Sequence, residues 1–338
     1  MNGRPSKVNA LFGFLTKLDF GKDRNIIMTK KILVATEKPF AKEATDLMKA
    51  ALKGDYKMEF LEKYTTVDQF KAAVADADAL IIRSDKATKE IMDAAKNLKI
   101  IVRAGAGFDN IDLPEATAHK LIAMNTPGQN SNAVAELAIG LMIMAARNNY
   151  NGKSGSEIAG KKLGIYGYGN VGRIIGKYAM AFGMEVIAYD PFLKKEQIEA
   201  TGAKECTDLD ELFGTCHYVS LHCPANEQTK NSINMSKMGK MPKGATLINT
   251  ARKEVVDEAD LKKVLAERPD FKYMADVAPD CAAELKEQYA DRIFFSPKKL
   301  GAQTEEANIN AGVAAVKQIM EFFEKGMYEG NKRFQVNK

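Results

Sequence analysis

The stretch LGIYGYGNVGRIIG, residues 163–176, decides the fold, because it reads as a strand, a glycine-rich turn and the start of a helix. Its glycines Gly167, Gly169 and Gly172 have the spacing GxGxxG. The first glycine allows a tight turn, the second lets a bound ligand approach the backbone, and the third lets the helix pack against the strand. The free N–H groups and the positive dipole end of such a helix attract an anion. The stretch therefore predicts an α/β domain with an anion-binding turn.

An acidic residue ends the next predicted strand. Asp190 closes the run EVIAYD, at the position where a carboxylate can hydrogen-bond the hydroxyls of an adenosine ribose. The same charge would repel a 2′-phosphate, so the pattern favours NAD over NADP. Asn170 and Val171 complete the predicted cofactor turn. The alternative is a glycine-rich turn in an unrelated α/β fold with an acidic surface residue nearby.

Strand-like and helix-like segments alternate along the chain. Short apolar runs form two series, at residues 31–35, 79–82, 99–104 and 121–125, and then at 162–169, 185–190, 218–224, 245–251, 273–278 and 293–297. Continuous apolar strands between helices are typical of parallel sheets covered on both faces. We therefore expect two α/β units with a crossover at residues 125–137. The last helix is predicted to return to the first unit through the apolar face formed by Ile309, Val313, Val316, Met320 and Phe323.

The composition excludes several classes of protein. The chain has 338 residues and a net charge of +5, which is too small to indicate nucleic-acid binding. The longest apolar run, residues 133–146, is too short for a membrane span and contains Glu136. The four cysteines form no CxxC pair and no metal-binding pattern with histidine. We therefore expect no metal and a reducing, cytoplasmic location.

Residues 1–27 differ from the rest of the chain. The part before Asp19 contains three basic residues and no acidic one, a composition that weakly resembles a transit peptide. The alternative is a disordered leader without a function of its own. In either case we expect the folded chain to begin at Met28.

Several motifs occur in an order that is more specific than any one of them. They are VRAGAGFDNID, NTPGQNSNAVAEL, GIYGYGNVGR, LHCPANEQTKNSI, LINTARKEVVDEADL, ADVAPD and LGAQTEEAN. From Met28 onward the chain resembles the D-isomer-specific 2-hydroxyacid dehydrogenases, and within them the short D-3-phosphoglycerate dehydrogenases. The resemblance implies two Rossmann-like domains, one flavodoxin-like and one dinucleotide-binding, with the active site in the cleft between them. It implies a substrate domain at residues 28–127 and 306–338, an NAD-binding domain at 128–305, and a homodimer formed through the latter.

The resemblance also implies roles for single residues. Arg252 would bind the carboxylate of the 2-oxo acid and polarise its carbonyl, and backbone N–H groups at Ala106 and Gly107 would bind the same carboxylate. Asp276 would bind the nicotinamide carboxamide. The other cofactor-lining positions would be His222, Cys223, Pro224, Thr250, Ala251, Gly301 and Ala302. From the residues alone, His222 at the end of an apolar strand is more typical of a structural or cofactor-lining residue than of an acid–base catalyst, and Cys223 of a packed side chain.

A basic group at the predicted sheet edge indicates the kind of substrate. Arg83, Ser84 and Lys86 follow one strand, and Arg103 ends the next. The carboxyl ends of parallel strands face the ligand crevice, where arginines suit a phosphate dianion. The family's phosphoglycerate dehydrogenases carry matching Arg-Ser and Arg-x-Gly motifs, which implies NAD-dependent oxidation of 3-phospho-D-glycerate, the entry step to serine. The alternative for Arg83 is an ion pair with a surface carboxylate.

Two other functions remain open at this point. One is a glyoxylate or hydroxypyruvate reductase, and the other is a non-catalytic, NAD-sensing protein of the same fold. The only partners we predict are a small phosphorylated 2-hydroxy acid and a second copy of the chain, with no nucleic acid and no membrane. The chain ends soon after the last predicted helix, so we expect neither the regulatory domain of many phosphoglycerate dehydrogenases nor feedback control by serine through it.

The loop SPKKLGA departs from the family pattern. The family usually has a catalytic histidine two residues before Gly-Ala, where Lys299 stands, whereas counting from Pro297 gives Lys298. We prefer Lys299, because Gly301 fixes the backbone nearest the cofactor, and the ambiguity of one residue remains. Cys281 stands where the family has the glutamate that orients this histidine. Both members of the dyad are therefore absent together.

A lysine can replace the histidine on physical grounds. Its ammonium has three equivalent protons and no tautomer for a partner to fix. With an ordinary pKa, only roughly one lysine in a thousand is neutral near neutral pH. Neighbouring cations and burial in a closed cleft would lower that pKa. We therefore expect an active enzyme, the alternative being a homologue that binds NAD without turnover.

Overall fold

Two parallel β-sheets, each covered by helices, make up the described chain, which is residues 29–337 of a computed structural model. The predicted leader at residues 1–27 lies outside the described residues. The first unit contains β1 (Lys30–Thr36), α1 (Lys42–Ala51), β2 (Tyr56–Glu62), α2 (Val67–Val74), β3 (Ala79–Ile82), α3 (Lys89–Ala94), β4 (Ile100–Arg103), α4 (Leu113–Ala118) and β5 (Ile122–Asn125). Its strands lie in the order β2-β1-β3-β4-β5, all parallel. This is the order of flavodoxin-like sheets.

The second unit is larger. It contains α5 (Ser131–Ala146), β6 (Lys162–Tyr166), α6 (Asn170–Ala181), β7 (Glu185–Tyr189), α7 (Lys195–Glu199), β8 (Lys204–Glu205), α8 (Leu209–Thr215), β9 (Tyr218–Leu221), α9 (Met235–Met238), β10 (Thr246–Asn249), α10 (Glu258–Glu267), β11 (Lys272–Ala275), α11 (Ala282–Tyr289) and β12 (Ile293–Phe295). The parallel strands lie in the order β12-β11-β10-β9-β6-β7-β8. The order reverses beside β6, which is the switch point of a dinucleotide-binding sheet. The predicted fold class is confirmed.

The chain crosses between the two sheets twice. It leaves the first sheet after β5 and enters α5, which packs on β6 and α6 of the second unit. It returns after β12 through α12 (Glu305–Lys325) and α13 (Glu329–Lys332), and α12 packs on α1 and the first sheet. The domain boundaries themselves stay predictions, and the one at residue 306 falls inside the first turn of α12. No helix among residues 29–337 is long and apolar enough to cross a membrane.

The pattern of apolar runs fails to predict β2 and β8, which are edge strands. β2 carries charged side chains and has no fully buried residue, and β8 has only two residues. Edge strands bury less apolar surface than central ones, so their sequence signal is weak.

The predicted apolar face of α12 is rotated relative to the observed one. Val316 is fully buried as expected, but the contact with the first sheet is made by Ala311, Ala315 and Ile319. The other predicted members, Ile309, Val313, Met320 and Phe323, are only partly buried. Small residues lie at the centre because α12 approaches α1 closely: a Cβ at Gly312 would lie 2.7 Å from the sulfur of Met48.

Candidate active site

The glycine-rich turn between β6 and α6 needs its three glycines for three different reasons. Gly167 has a φ of +93°, and a Cβ there would lie 2.8 Å from the carbonyl carbon of His222. A Cβ at Gly172 would collide with the carbonyl oxygen of Gly167. A Cβ at Gly169 would meet no atom within 4 Å. Packing therefore requires the first and third glycines, while the second faces open space that a ligand can fill.

Donors and a carboxylate surround this open space. In the first turn of α6, the N–H groups of Asn170, Val171 and Gly172 have no acceptor within the helix, and they lie at its positive dipole end. Asp190 accepts hydrogen bonds from the N–H groups of Tyr168 (2.8 Å) and Phe192 (3.0 Å), one on each carboxylate oxygen. Each oxygen keeps a lone pair for a further donor. A pyrophosphate at the helix and ribose hydroxyls at Asp190 fit this arrangement.

The side chain of His222 is held in one place by hydroxyl groups. Its Nε2 lies 2.8 Å from Ser220 Oγ, and its Nδ1 lies 3.3 Å from Thr250 Oγ1. Burial lowers the pKa of His222 to about 3, so the ring is neutral at physiological pH. Burial also raises the pKa of the Cys223 thiol to about 12. These environments favour structural or cofactor-lining roles for both residues over acid–base or nucleophilic ones. Pro224, the third predicted member of this group, is exposed.

Arg252 projects from a turn that Asn249 shapes. The Asn249 side chain donates to the Arg252 carbonyl (2.9 Å) and accepts from the Ala251 N–H (3.0 Å). The Arg252 guanidinium donates to the Ala251 carbonyl (2.9 Å) and lies 3.8 Å from the carboxylate of Asp109 in the first unit. Asn249 is not among the residues predicted from the sequence, although an amide at the end of an apolar strand is a usable signal.

The loop that follows β4 meets Arg252 across the cleft. A Cβ at Gly107 would lie 3.0 Å from Arg252 Nη2 and 3.0 Å from Asp109 Oδ1. Within residues 29–337, the N–H groups of Ala106 and Gly107 donate to no protein acceptor. Two free donors therefore lie in the loop that approaches the Arg252 guanidinium, and this combination of groups suits a carboxylate.

A second group of donors lies deeper in the first unit. Arg83 and Arg103 line a small recess that is open to solvent, with a cavity volume of about 40 Å³. The Arg103 Nε donates to the Arg83 carbonyl (3.1 Å), and the Arg83 guanidinium stacks on Phe40 with its carbon 4.8 Å from the ring centre. Burial lowers the pKa of both arginines, and the positive charges of Arg252 and Arg83 lower that of Arg103 further, whereas Asp109 raises it. The other residues lining the recess are Ser84, Ala104, Gly105, Asn130, Ala302, Gln303, Ala307, Asn308 and Ala311.

Arg83 already has several acceptors. It donates to the carbonyls of Lys38 (3.4 Å) and Pro39 (3.3 Å) and to the side-chain oxygen of Asn308. Arg83 forms none of the ion pairs found among the described residues. Among those residues, the alternative that Arg83 pairs with a surface carboxylate is therefore wrong. Lys86 is exposed and does not line the recess. The amides of Asn130, Gln303 and Asn308 are not predicted from the sequence, because only the folded chain brings them together.

Lys299 lies in the cleft among charged groups. Its side chain is exposed to solvent, yet the protein atoms around its ammonium lower the pKa of that group. Arg252 and Arg103 lower that pKa further, whereas Asp276 and Asp109 raise it. Lys298 is exposed as well, so exposure does not distinguish the two lysines. Lys299 is the one whose ammonium is influenced by charged residues of the cleft, an environment that favours proton transfer.

The loop carrying Lys299 is fixed by Asp276. This carboxylate is only 1% exposed and accepts hydrogen bonds from the N–H groups of Leu300 (2.7 Å) and Gly301 (2.9 Å). A Cβ at Gly301 would lie 2.9 Å from Asp276 Oδ2. Each oxygen of Asp276 keeps one lone pair for a further donor. The predicted contact of Asp276 with a carboxamide stays a prediction. The structure adds a contact that the sequence does not reveal.

Cys281 lies in a different environment from Lys299. Its N–H donates to Glu258 (2.9 Å), and burial raises the pKa of its thiol to about 12. Its charged neighbours are Glu258 and Lys262. The residue therefore supports the start of α11. Within residues 29–337, no cluster of His, Cys, Asp or Glu side chains could hold a metal ion.

Comparisons with known proteins agree with this geometry. The family model described as "D-isomer specific 2-hydroxyacid dehydrogenase, NAD binding domain" matches residues 136–292. A hydroxypyruvate reductase of Thermotoga maritima is 36% identical over 299 residues, which are 83% of this chain and 95% of the relative. A D-3-phosphoglycerate dehydrogenase of Methanocaldococcus jannaschii is 35% identical over 269 residues, 75% of this chain but 51% of the relative. The chain thus spans about half the length of that relative.

A solved structure is similar over nearly the whole chain. It is the NAD⁺-bound 3-phosphoglycerate dehydrogenase of Entamoeba histolytica, with 42% sequence identity and a TM-score of 0.82. The match covers 92% of this chain and 99% of that one. A D-2-hydroxyisocaproate dehydrogenase, 19% identical with a TM-score of 0.75, shares the fold.

Proposed function

The chain belongs to the D-isomer-specific 2-hydroxyacid dehydrogenases, which use NAD, and on that premise we propose that it oxidises 3-phospho-D-glycerate to 3-phosphooxypyruvate. The observation that carries the proposal is the recess holding both Arg83 and Arg103 beside the cleft. A second anionic group at the far end of a 2-hydroxy acid would meet two guanidinium groups there, and guanidinium groups bind phosphate well. Relatives named D-3-phosphoglycerate dehydrogenase support this choice of substrate.

In the proposed mechanism, Arg252 and the N–H groups of Ala106 and Gly107 bind the substrate carboxylate. This contact fixes the orientation of the reacting carbon, and the guanidinium polarises the carbonyl. NAD⁺, when bound at the glycine-rich turn, supplies the hydride acceptor. The proton of the 2-hydroxyl passes to the Nζ of Lys299 as the C=O bond forms. In the reverse direction the charged Lys299 donates that proton.

Lys299 performs this task in place of a histidine because its surroundings lower its pKa. Oxidation needs the neutral amine, and a lower pKa increases the neutral fraction at physiological pH. The backbone hydrogen bonds from Leu300 and Gly301 to Asp276 hold the residue in place without a side-chain partner. A histidine would need a partner to fix its tautomer.

Hydroxypyruvate reduction is the second candidate. One relative with this activity in its name is matched over 95% of its length. The donors of Arg83 are also partly used by Lys38, Pro39 and Asn308, which leaves fewer for a phosphate. Because the named relatives are enzymes, the non-catalytic alternative is not retained. A homodimer through the NAD-binding domain and a cytoplasmic location stay predictions.

The test is a set of initial rates with NADH on phosphooxypyruvate, hydroxypyruvate and glyoxylate. Wild type should prefer the phosphorylated acid, and Arg83→Ala should lower kcat/KM for it by about 10- to 100-fold, the effect of losing charged hydrogen bonds. Lys86→Ala is the matched control, because this exposed cation does not line the recess. Equal wild-type rates on phosphooxypyruvate and hydroxypyruvate would contradict the proposed substrate and favour the reductase.

A further inference from the structure

Asn125 and Thr126 lie where the chain leaves the first sheet, and both bind the loop after β4. They are 7% and 1% exposed. The Asn125 side chain donates to the Ala106 carbonyl at 2.6 Å. Thr126 Oγ1 accepts from the Gly105 N–H at 2.6 Å, and the Thr126 N–H donates to the Gly105 carbonyl at 2.9 Å. Two of these three hydrogen bonds hold the peptide units that carry the free N–H groups of Ala106 and Gly107, and the third holds the peptide unit before them.

The junction is in turn held by segments from the other end of the sequence. The Asn125 N–H donates to the Phe334 carbonyl (3.1 Å), and the Asn125 carbonyl accepts from the side chain of Gln318 (3.1 Å). Residues 334–337 run antiparallel along the outer edge of β5, with a bridge between Met124 and Gln335. Asn337 extends this contact, since its side chain accepts from the Ala123 N–H at 2.8 Å. The edge strand therefore has its polar backbone groups paired.

The burial and backbone conformation of Gly105 make this support necessary. Gly105 is buried and has a φ of +145°, so its N–H has no access to water and needs a protein acceptor. The Thr126 hydroxyl supplies it. Its loss would leave a buried donor unpaired, which costs about 1–3 kcal/mol and favours a different loop conformation.

We propose that Asn125 and Thr126, anchored by residues 334–337, are positioning residues that aim the Ala106 and Gly107 N–H groups at the substrate carboxylate. The inference rests on the carboxylate site of the proposed function and not on the identity of the rest of the substrate. The junction is also the first of the two crossings between the domains. The loop should therefore keep its position relative to the first sheet when the cleft changes width.

The test uses Thr126→Val, which keeps the shape of the side chain and removes the acceptor, with Thr126→Ser as rescue. KM should rise about tenfold for whichever 2-oxo acid wild type reduces best, with kcat within about threefold, because contacts to the carboxylate act equally in ground and transition state. The dissociation constant of NADH should not change. Thr126→Ser should restore the wild-type KM.

Thr36→Val is the matched control. Thr36 is also a buried threonine at the end of a strand of the same sheet, but its hydroxyl has no partner among the described residues. It should leave KM unchanged. An equal rise in KM for Thr36→Val, or no rescue by Thr126→Ser, would overturn the proposal, because the effect would then come from general loosening of the sheet.

Asn337→Ala tests the anchor separately and serves if Thr126→Val does not fold. It should raise KM in the same direction, by less than Thr126→Val, without changing NADH affinity. An unchanged KM with a lowered melting temperature would overturn the role of residues 334–337. All these readouts use the preferred 2-oxo acid, so they stand or fall independently of whether that acid carries a phosphate.

Discussion

The glycine-rich turn at residues 167–172 and the loop at residues 296–304 face the same cleft but are built in different ways. The turn is determined locally, by glycines whose missing side chains give room to the backbone and to a ligand. The loop is determined from a distance, by the Asp276 carboxylate and by cations from both domains. Local constraints can be read from the sequence, whereas the second kind becomes visible only in the folded chain.

The largest expected effect on cofactor binding comes from filling the open space in the turn. Gly169→Val should weaken NADH binding by about 100-fold or more, which is about 2.7 kcal/mol, because the side chain would occupy the space where a pyrophosphate approaches the helix. The fold should persist, since a Cβ at Gly169 would meet no atom within 4 Å. Fluorescence titration with NADH and a melting curve provide the measurement.

Two matched glycine variants complete this experiment. Gly172→Ala should weaken NADH binding and also lower the melting temperature, because its Cβ would collide with the carbonyl oxygen of Gly167. Gly140→Ala, in the middle of α5 with nothing within 4 Å, should change neither property for the worse. Normal NADH affinity in Gly169→Val would show that the turn does not hold the cofactor.

The next effect concerns the loop. Asp276→Asn should lower kcat by about tenfold or more, because an amide presents one oxygen to two N–H donors and leaves one donor unpaired beside Lys299. Asp280→Asn is the control, since that carboxylate is 80% exposed and pairs with Lys253. Initial rates at saturating NAD⁺ measure the change. A rise in the dissociation constant of NADH with normal kcat would instead assign Asp276 to the carboxamide alone.

The smallest effect is a shift in pH dependence. Oxidation requires neutral Lys299, whose pKa is lowered from its ordinary value of 10.5, so kcat/KM should rise with pH and level off below that value. Asp109 raises the pKa of Lys299, and Asp109→Asn should therefore move the midpoint to lower pH. In the reductive direction the same midpoint should mark a fall in rate. A midpoint that moves to higher pH in Asp109→Asn would contradict this electrostatic picture.

The two regions also explain which features of the fold can be predicted from the sequence. The alternation of apolar runs predicted both sheets, and the glycine spacing predicted the cofactor turn, because each pattern reflects contacts between residues close in the chain. β2 was missed because an edge strand buries little apolar surface. The face of α12 was misplaced because its closest contact with α1 is made by small residues, which carry a weak hydrophobic signal.

The polar support of the site could not be predicted for a different reason. Asn249, Asn308 and Thr126 act through hydrogen bonds whose partners are set by tertiary structure. Isolated polar residues at strand ends and in helices are common, so none of them marks a site by itself. The choice between Lys298 and Lys299 belongs to the same class, because adjacent lysines differ only in which one the fold directs into the cleft.

Comparison of Lys299→Ala with Lys298→Ala, as kcat for oxidation from about pH 6 to about pH 10, tests the proton-transfer role most directly. Lys299→Ala should lose about 10²- to 10⁴-fold in kcat, the usual contribution of a general acid–base group, together with the pH dependence in this range. Lys298→Ala should stay within about twofold of wild type, because substitution of an exposed side chain away from the site usually has little effect. Near-normal kcat across the range in Lys299→Ala, or a large loss confined to Lys298→Ala, would contradict the account.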